Sequence, residues 1–137
     1  MILTASDEDT ALAVDVVPGQ ASDAPLLAPM LDATAARVPA IDEVVADKGF
    51  DGDAQRQGCV DRDVFPNIPN KVNRVNRWPF DRVAYRGRNR VERLIGKAKQ
   101  FRRFATRYEK LRTMYLGVVH LVLGFIRLRR MATVNTP

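Results

Sequence analysis

The hydrophobic pattern changes once along this chain, and that change constrains the fold more than any other feature of the sequence. Up to residue 68 the apolar residues form short runs separated by Asp, Gly and Pro, which is typical of strands and turns. From residue 85 onward they recur at helical spacing. This order predicts an α/β domain whose mixed sheet carries helices on its faces. The length, 137 residues, suffices for a single domain over residues 1–137.

The first half supplies the predicted strands. Asp7, Glu8 and Asp9 form a polar turn between two apolar runs, so these runs are expected to pair as a hairpin. The predicted elements of this half are strands at residues 1–6, 11–17, 43–46 and 64–68, a helix capped by Asp23, and a short helix at residues 54–57 capped by Asp51 or Asp53.

The second half begins with a basic loop at residues 66–84 and continues as a pair of long helices at residues 85–130. The first helix is predicted over residues 85–105, with one apolar face. The second is predicted over residues 109–130 and is apolar nearly all round at residues 114–126. We therefore expect this second helix to be largely buried.

Charge is divided unequally between the two halves. Residues 1–65 contain 13 acids and four bases, a net charge of −9, whereas residues 66–137 contain 18 bases and three acids, a net charge of +15. Such a division suggests a polyanionic partner, and nucleic acid is the commonest one because Lys and Arg displace its condensed counterions. The alternative is a basic surface that only keeps the protein soluble.

Several classes of protein are excluded by what the sequence contains. A single cysteine, Cys59, excludes a disulfide framework and a Cys-rich metal site. A single histidine, His120, excludes sites that need two imidazoles, and we expect it to pack in the core or between helices. The longest apolar run, residues 114–126, is shorter than the ~20 residues of a membrane span, and the first residues do not resemble a signal peptide. A soluble intracellular protein is expected.

The first long helix carries two polar faces when its residues are placed at about 100° intervals. One face is a stripe about 60° wide that contains the only acid of this helix, Glu92. The members of this stripe are Tyr85, Arg88, Glu92, Lys99 and Arg103. The second face is purely basic and contains Arg86, Arg90, Arg93 and Lys97.

Two acids are candidate metal ligands, and each has a simpler interpretation. Glu92 stands among bases, so it either holds a divalent cation beside a phosphate backbone or only pairs with Arg88 one turn earlier. Asp47 follows a buried strand, at the sheet edge where open α/β sheets place their ligands, but it could equally be a turn or cap residue. In the basic loop, Trp78 and Phe80 either stack on a displaced base or pack the loop onto the protein.

The spacing Y-x2-R-x3-E-x6-K, in the segment YRGRNRVERLIGKAK, is a recognisable signature. It is preceded by VVADKGFD and LAVDVVPGQASDAPLLAPML and followed by FRRFATRYEK. Together these segments resemble bacterial insertion-sequence transposases of the DDE type, in the IS-four/IS-five superfamily. The resemblance covers residues 3–130.

This resemblance implies an RNase H-like fold and DNA strand cleavage and transfer that depends on Mg²⁺ or Mn²⁺. By motif, Asp47 and Glu92 match two of the carboxylates that hold the metal ions in that family. Carboxylate oxygen suits hard divalent cations, and two ions about 3.5–4 Å apart can clamp both oxygens of a phosphoryl transfer. The implied partners are transposon-end and target DNA in the bacterial cytoplasm, at the nucleoid, with a homo-oligomer as a further expectation. The expected DNA-binding residues are Tyr85, Arg88, Lys99, Arg103, Arg90 and Lys97.

The family uses three carboxylates, and the first one stands on a central strand upstream of the strands that begin this chain. We therefore expect a catalytic domain truncated at its N-terminus, inactive without an upstream part, either a product joined by frameshifting or a remnant. Two alternatives remain open. One is a noncatalytic DNA-binding regulator of a complete transposase, and the other is a helix-pair interaction module in which Glu92 pairs only with Arg88.

Overall fold

The computed structural model describes residues 1–107 and 110–134, and it confirms the expected mixture of strands and helices. The chain divides into two compact units, Met1–Gly19 with Arg90–Pro137, and Gln20–Asn89. The elements in chain order are β1 (Ile2–Asp7), β2 (Thr10–Asp15), α1 (Leu27–Ala35), β3 (Glu43–Val45), α2 (Asp53–Val60), β4 (Phe65–Asn67), α3 (Arg82–Tyr85), α4 (Asn89–Lys99), α5 (Arg102–Thr106) and α6 (Arg112–Val134).

The first unit is built on the predicted hairpin, which is confirmed. Strands β1 and β2 pair antiparallel, with Ile2 opposite Asp15. Asp7 fixes the turn between them because its carboxylate accepts hydrogen bonds from the Asp9 N–H (2.8 Å) and the Thr10 hydroxyl (3.0 Å). The buried apolar core of this unit consists of Val16, Leu94, Ala98, Phe104, Tyr115, Val119, Val122, Leu123 and Ile126.

The second unit contains a parallel pair of strands. Val44 of β3 lies opposite Pro66 of β4, and helices α1 and α2 belong to the same unit. The described strands thus pair two by two, in one antiparallel and one parallel sheet. The buried core of this unit is Leu27, Leu31, Cys59, Val64 and Ile68. Burial raises the pKa of the Cys59 thiol to about 11, so this cysteine stays protonated and acts as an apolar packing residue.

The predicted helix caps of the second unit need correction. Asp23 does lie at the N-cap of a 3-10 turn that leads into α1, but its side chain makes no capping hydrogen bond. Neither Asp51 nor Asp53 caps α2, because the N-cap residue is Gly52 and Asp53 is the first helical residue. The Asp51 carboxylate is instead buried in an ion pair with Arg56.

The prediction of one continuous helix over residues 85–105 is wrong. A 3-10 turn (Arg86–Arg88) separates α3 from α4, and the extended backbone of Phe101 separates α4 from α5. At the second break, the Phe101 ring packs edge-on against Phe125 of α6, with ring centroids 5.7 Å apart. The rotation of about 100° per residue around a helix axis is interrupted at these breaks. The predicted polar stripe therefore does not lie on one helix.

Helix α6 differs in two ways from the prediction. Its predicted first residue, Glu109, lies outside the described residues, and the helix extends as far as Val134. It is also not buried all round, since only one face belongs to the core and His120 is exposed rather than packed. The large apolar side chains exposed on α6 are Met114, Leu121, Phe125, Leu128, Met131 and Val134. Within residues 1–107 and 110–134, no helix combines the length and the hydropathy that a membrane span requires.

Candidate metal and DNA site

Asp47 lies two residues beyond β3, at the carboxyl end of the parallel strand pair. It begins a 3-10 turn (Lys48–Phe50), and its Oδ1 accepts a hydrogen bond of 2.8 Å from the Gly49 N–H. Its Oδ2 lies 3.7 Å from Nη2 of Arg88, and 47% of the side chain is exposed. Asp47 is therefore a capping residue whose carboxylate also remains accessible beside a cation.

Gly49 leaves space for this carboxylate in its observed orientation. A Cβ atom built on Gly49 would lie 2.8 Å from Oδ1 of Asp47, closer than a carbon can approach an oxygen without displacing it. The Gly49 N–H can thus reach the carboxylate because no side chain stands between them. The segment Asp47-Lys48-Gly49 therefore orients the candidate ligand.

A series of hydrogen bonds within the same unit positions the helix that leads to Arg88. The fully buried side chain of Asn67, at the end of β4, donates to the Asp81 carbonyl (3.0 Å) and accepts from the Asp81 N–H (3.1 Å). Asp81 in turn caps α3, since its Oδ1 accepts from the N–H groups of Val83 (2.7 Å) and Ala84 (3.2 Å). The end of a strand thereby fixes the start of the helix that leads to Arg88.

The aromatic residues of the basic loop pack within their own unit. Asn70 and Trp78 exchange two hydrogen bonds of 2.9 Å between the amide side chain and the Trp78 backbone. The guanidinium of the buried Arg56 lies 5.5 Å from the centre of the Trp78 ring, and Phe80 contacts Tyr85 edge-on at 5.1 Å. These contacts favour the packing interpretation of Trp78 and Phe80 over base stacking.

The base of this loop contains a buried ion-pair network that the sequence did not reveal. Arg56 has no exposed surface, and it donates to Asp51 (2.7 Å) and to the carbonyl of Ile68 (2.7 Å). Arg74 adds a second ion pair to Asp51 at 2.8 Å, and the Lys71 N–H donates to the other carboxylate oxygen at 2.6 Å. Desolvation opposes the charge of Asp51, but these hydrogen bonds and cations outweigh it and lower the pKa of the carboxyl group.

Glu92 belongs to the other compact unit, in the exposed first turn of α4. An acid is favoured there by the positive end of the helix dipole. Among the expected DNA-binding residues of this unit, Arg90, Lys99 and Arg103 are exposed. Lys97 is instead half-buried, and its ammonium group pairs with Asp9 of the hairpin turn at 2.5 Å. Its charge is thus partly neutralised within the protein.

The predicted site residues fall into two groups. Asp47, Tyr85 and Arg88 lie in the second unit, where Asp47 and Arg88 are brought together, whereas Glu92 and the remaining bases lie in the first. A common site for Asp47 and Glu92 therefore stays a prediction. In the part of the chain that the structure describes, no three His, Cys, Asp or Glu residues are grouped so that they could hold a metal ion by themselves.

Comparison with known proteins establishes the family. The family model described as the transposase DDE domain matches residues 1–123, which include both Asp47 and Glu92. The chain belongs to the DDE transposase family. One curated relative, named "Putative transposase for insertion sequence element IS6501", from Brucella ovis (strain ATCC 25840 / 63/290 / NCTC 10512), is 30% identical over 120 residues, covering 86% of this chain and 88% of that protein. No solved structure matches this DDE transposase chain.

Proposed function

We propose that this chain contributes two carboxylates, Asp47 and Glu92, to metal-dependent DNA strand cleavage and transfer on an RNase H-like fold. Membership of the DDE transposase family assigns it to DNA transposition. The observation that supports the finer proposal most is that the family match includes both acids and the signature residues from Tyr85 to Lys99, which lie on α3 and α4 and the turn between them.

The donor chemistry of the two acids fits Mg²⁺ or Mn²⁺. Both are carboxylates, both have solvent-accessible side chains, and Asp47 is held by a single backbone hydrogen bond that leaves lone pairs for a cation. Mg²⁺ is commonly bound by one or two carboxylates together with waters and substrate phosphates. Asp47 and Glu92 would supply that protein share, and the ions would stabilise the attacking and leaving oxygens of the phosphoryl transfer.

The bases near these acids have a distinct part in the proposal. Arg88, 3.7 Å from Asp47, compensates the carboxylate charge and can donate to a phosphate oxygen that approaches it. Tyr85 sits one turn earlier on α3 and can donate through its hydroxyl. The exposed side chains of Arg90, Lys99 and Arg103 would hold the DNA backbone, whereas Lys97 would have to exchange Asp9 for a phosphate.

A third carboxylate completes the family's metal site, and no acid of this chain was matched to it by motif. We propose that another polypeptide segment supplies this residue and that strand transfer requires both parts. When the complementing part is provided, Glu92→Gln should abolish strand transfer while DNA binding persists, because the amide cannot carry the charge that the cation requires.

Metal binding in the presence of DNA tests the proposed ligands directly. The complete chain is mixed with duplex DNA and titrated with Mn²⁺, and the free ion is measured by electron paramagnetic resonance. Asp47→Asn and Glu92→Gln should each weaken Mn²⁺ binding by roughly tenfold or more. Asp42→Asn and Glu43→Gln, which remove exposed acids at the start of β3, should leave Mn²⁺ binding unchanged.

Two results would contradict the proposal. One is Mn²⁺ binding by the Asp47 and Glu92 variants that equals binding by the Asp42 and Glu43 variants. The other is a protein–DNA complex that takes up no more Mn²⁺ than the same duplex does alone, which would instead support a noncatalytic DNA-binding protein.

A further inference from the structure

The tip of the basic loop presents a short tandem repeat to solvent. Residues 72–77 read Val-Asn-Arg twice, and Lys71 precedes them. Val72 is 87% exposed and Val75 is 91% exposed, higher fractions than those of the other exposed large apolar side chains in the described residues. Asn73 and Asn76 are exposed as well. Each repeat thus offers an apolar side chain followed by an amide.

A backbone hydrogen bond and two ion pairs of Arg74 hold this tip in place. The Arg74 N–H donates to the Lys71 carbonyl at 3.1 Å, which closes a turn with Val72 and Asn73 at its corners. The Arg74 side chain points inward, where it pairs with Asp51 (2.8 Å) and Asp53 (2.7 Å). The ion pairs of Arg74, the first arginine of the repeat, fix the backbone of the tip. The exposed side chains are therefore held in place, and these are Val72, Asn73, Val75 and Asn76. Such preorganisation lowers the conformational cost of binding.

We propose that this tip, residues 71–77, inserts into the minor groove of duplex DNA. The inference rests on the proposed function, which makes DNA the partner, and it adds the groove and the residues that enter it. Asn amides can donate to the N3 and O2 acceptors that line the minor groove. Minor-groove proteins also insert apolar side chains against base steps, as Val72 and Val75 are placed to do. Lys71 and Arg77, both exposed, are the first and last residues of the tip and can contact the phosphates on either side of the groove.

The expected sequence preference follows from this geometry. The minor groove of A·T-rich DNA is narrow and strongly negative, and it lacks the guanine amino group that would block an apolar side chain. The complete chain should therefore bind an A·T-rich duplex more tightly than a G·C-rich duplex of equal length. Netropsin, which occupies the A·T minor groove, should displace the protein, whereas methyl green, which occupies the major groove, should not.

A double substitution tests the apolar contacts. Fluorescence anisotropy would compare the intact chain with Val72→Ser/Val75→Ser on a labelled A·T-rich duplex at fixed salt. The variant should bind about tenfold more weakly and lose its sensitivity to netropsin. The matched control is Val83→Ser, which changes an exposed valine on α3 outside the tip and should bind as the unmodified chain does. Circular dichroism melts should coincide for all three proteins because neither change touches the core.

The possible failures are distinguishable. If the chain binds DNA but netropsin does not compete and the double variant matches the Val83→Ser control, the minor-groove inference is overturned while the proposed function stands. If the chain binds no duplex at low salt, both are overturned. Retained DNA binding with loss of affinity for another protein on substitution of the two valines would assign the tip to a protein partner and would also overturn the inference.

Discussion

At Gly49 a single methyl group would decide where the Asp47 carboxylate points. In Gly49→Ala the added Cβ would meet Oδ1 of Asp47 at 2.8 Å, so the carboxylate must turn away and give up its hydrogen bond to the backbone. We expect Mn²⁺ binding in the presence of DNA to weaken by roughly tenfold. Gly19→Ala is the control, since nothing lies within 4 Å of that Cβ. Equal Mn²⁺ affinity in the two variants would contradict the role given to Gly49.

The buried carboxylate of Asp51 makes the stability of the fold depend on pH. Its pKa is lower in the folded chain than the ordinary 3.8, so the ionised carboxylate stabilises the fold above that value. This contribution should be lost as the pH falls from about 4 through the lower folded pKa. Thermal melts between about pH 2 and 6 should show the loss in the unmodified chain.

The matched substitution for this test is Asp51→Asn. It leaves the buried Arg56 without its carboxylate, so we expect a loss of about 3 kcal/mol in unfolding free energy at neutral pH and a flatter acid limb. Glu43→Gln, at an exposed acid, serves as the control. An acid limb that is identical with and without Asp51 would show that the buried network does not govern acid stability.

Among the elements, α3 depends on a residue that is not part of it. Asn67→Asp would remove the amide that donates to the Asp81 carbonyl and would bury a carboxylate against that oxygen. We expect a loss of about 2 kcal/mol or more in unfolding free energy, measured by urea denaturation. Asn76→Asp adds the same charge at an exposed position of the same loop and should change stability little. Equal stabilities of the two variants would show that the Asn67–Asp81 pair does not hold α3.

The elements that follow local patterns were predictable, and those set by distant contacts were not. The β1–β2 hairpin follows from alternating apolar residues around an acidic turn, and the strand before Asp47 follows from its valines. The break at Phe101 coincides with a ring contact to Phe125, 24 positions later, and the apolar spacing of residues 91–105 contains no sign of that contact. The Asp51–Arg56 pair reads in the sequence as ordinary surface charge, although both side chains are buried.

The candidate site was predictable in part for the same reason. Asp47 and Arg88 were singled out by the family signature, and the structure places them 3.7 Å apart. The residues that hold the same unit together, Asn67, Asn70 and Arg56, act on backbone groups 8 to 14 positions away. No short-range pattern in the sequence indicates such contacts. Residues that hold other residues in place are therefore the part of a site that sequence reasoning misses.

For the whole molecule, the excess of bases in residues 66–137 predicts DNA binding that is strongly salt-dependent. Each base that contacts a phosphate adds about −0.9 to the slope of log affinity against log salt. Arg90→Ala should therefore make this slope shallower by about one, as measured by anisotropy over a range of NaCl concentrations. Arg62→Ala is the control because this arginine already pairs with Asp32 at 2.7 Å. An unchanged slope for Arg90→Ala would remove that residue from the DNA interface.

We propose that Asp47 and Glu92 bind one cluster of divalent cations. Fe²⁺ can replace Mg²⁺ in such a site, and with ascorbate and peroxide it generates hydroxyl radicals that cut the polypeptide next to the bound ion. On the DNA complex, we predict cuts near both residue 47 and residue 92, and Asp47→Asn should suppress both sets of fragments. Cuts near only one of the two acids, or cuts near residue 92 that persist in Asp47→Asn, would contradict the claim.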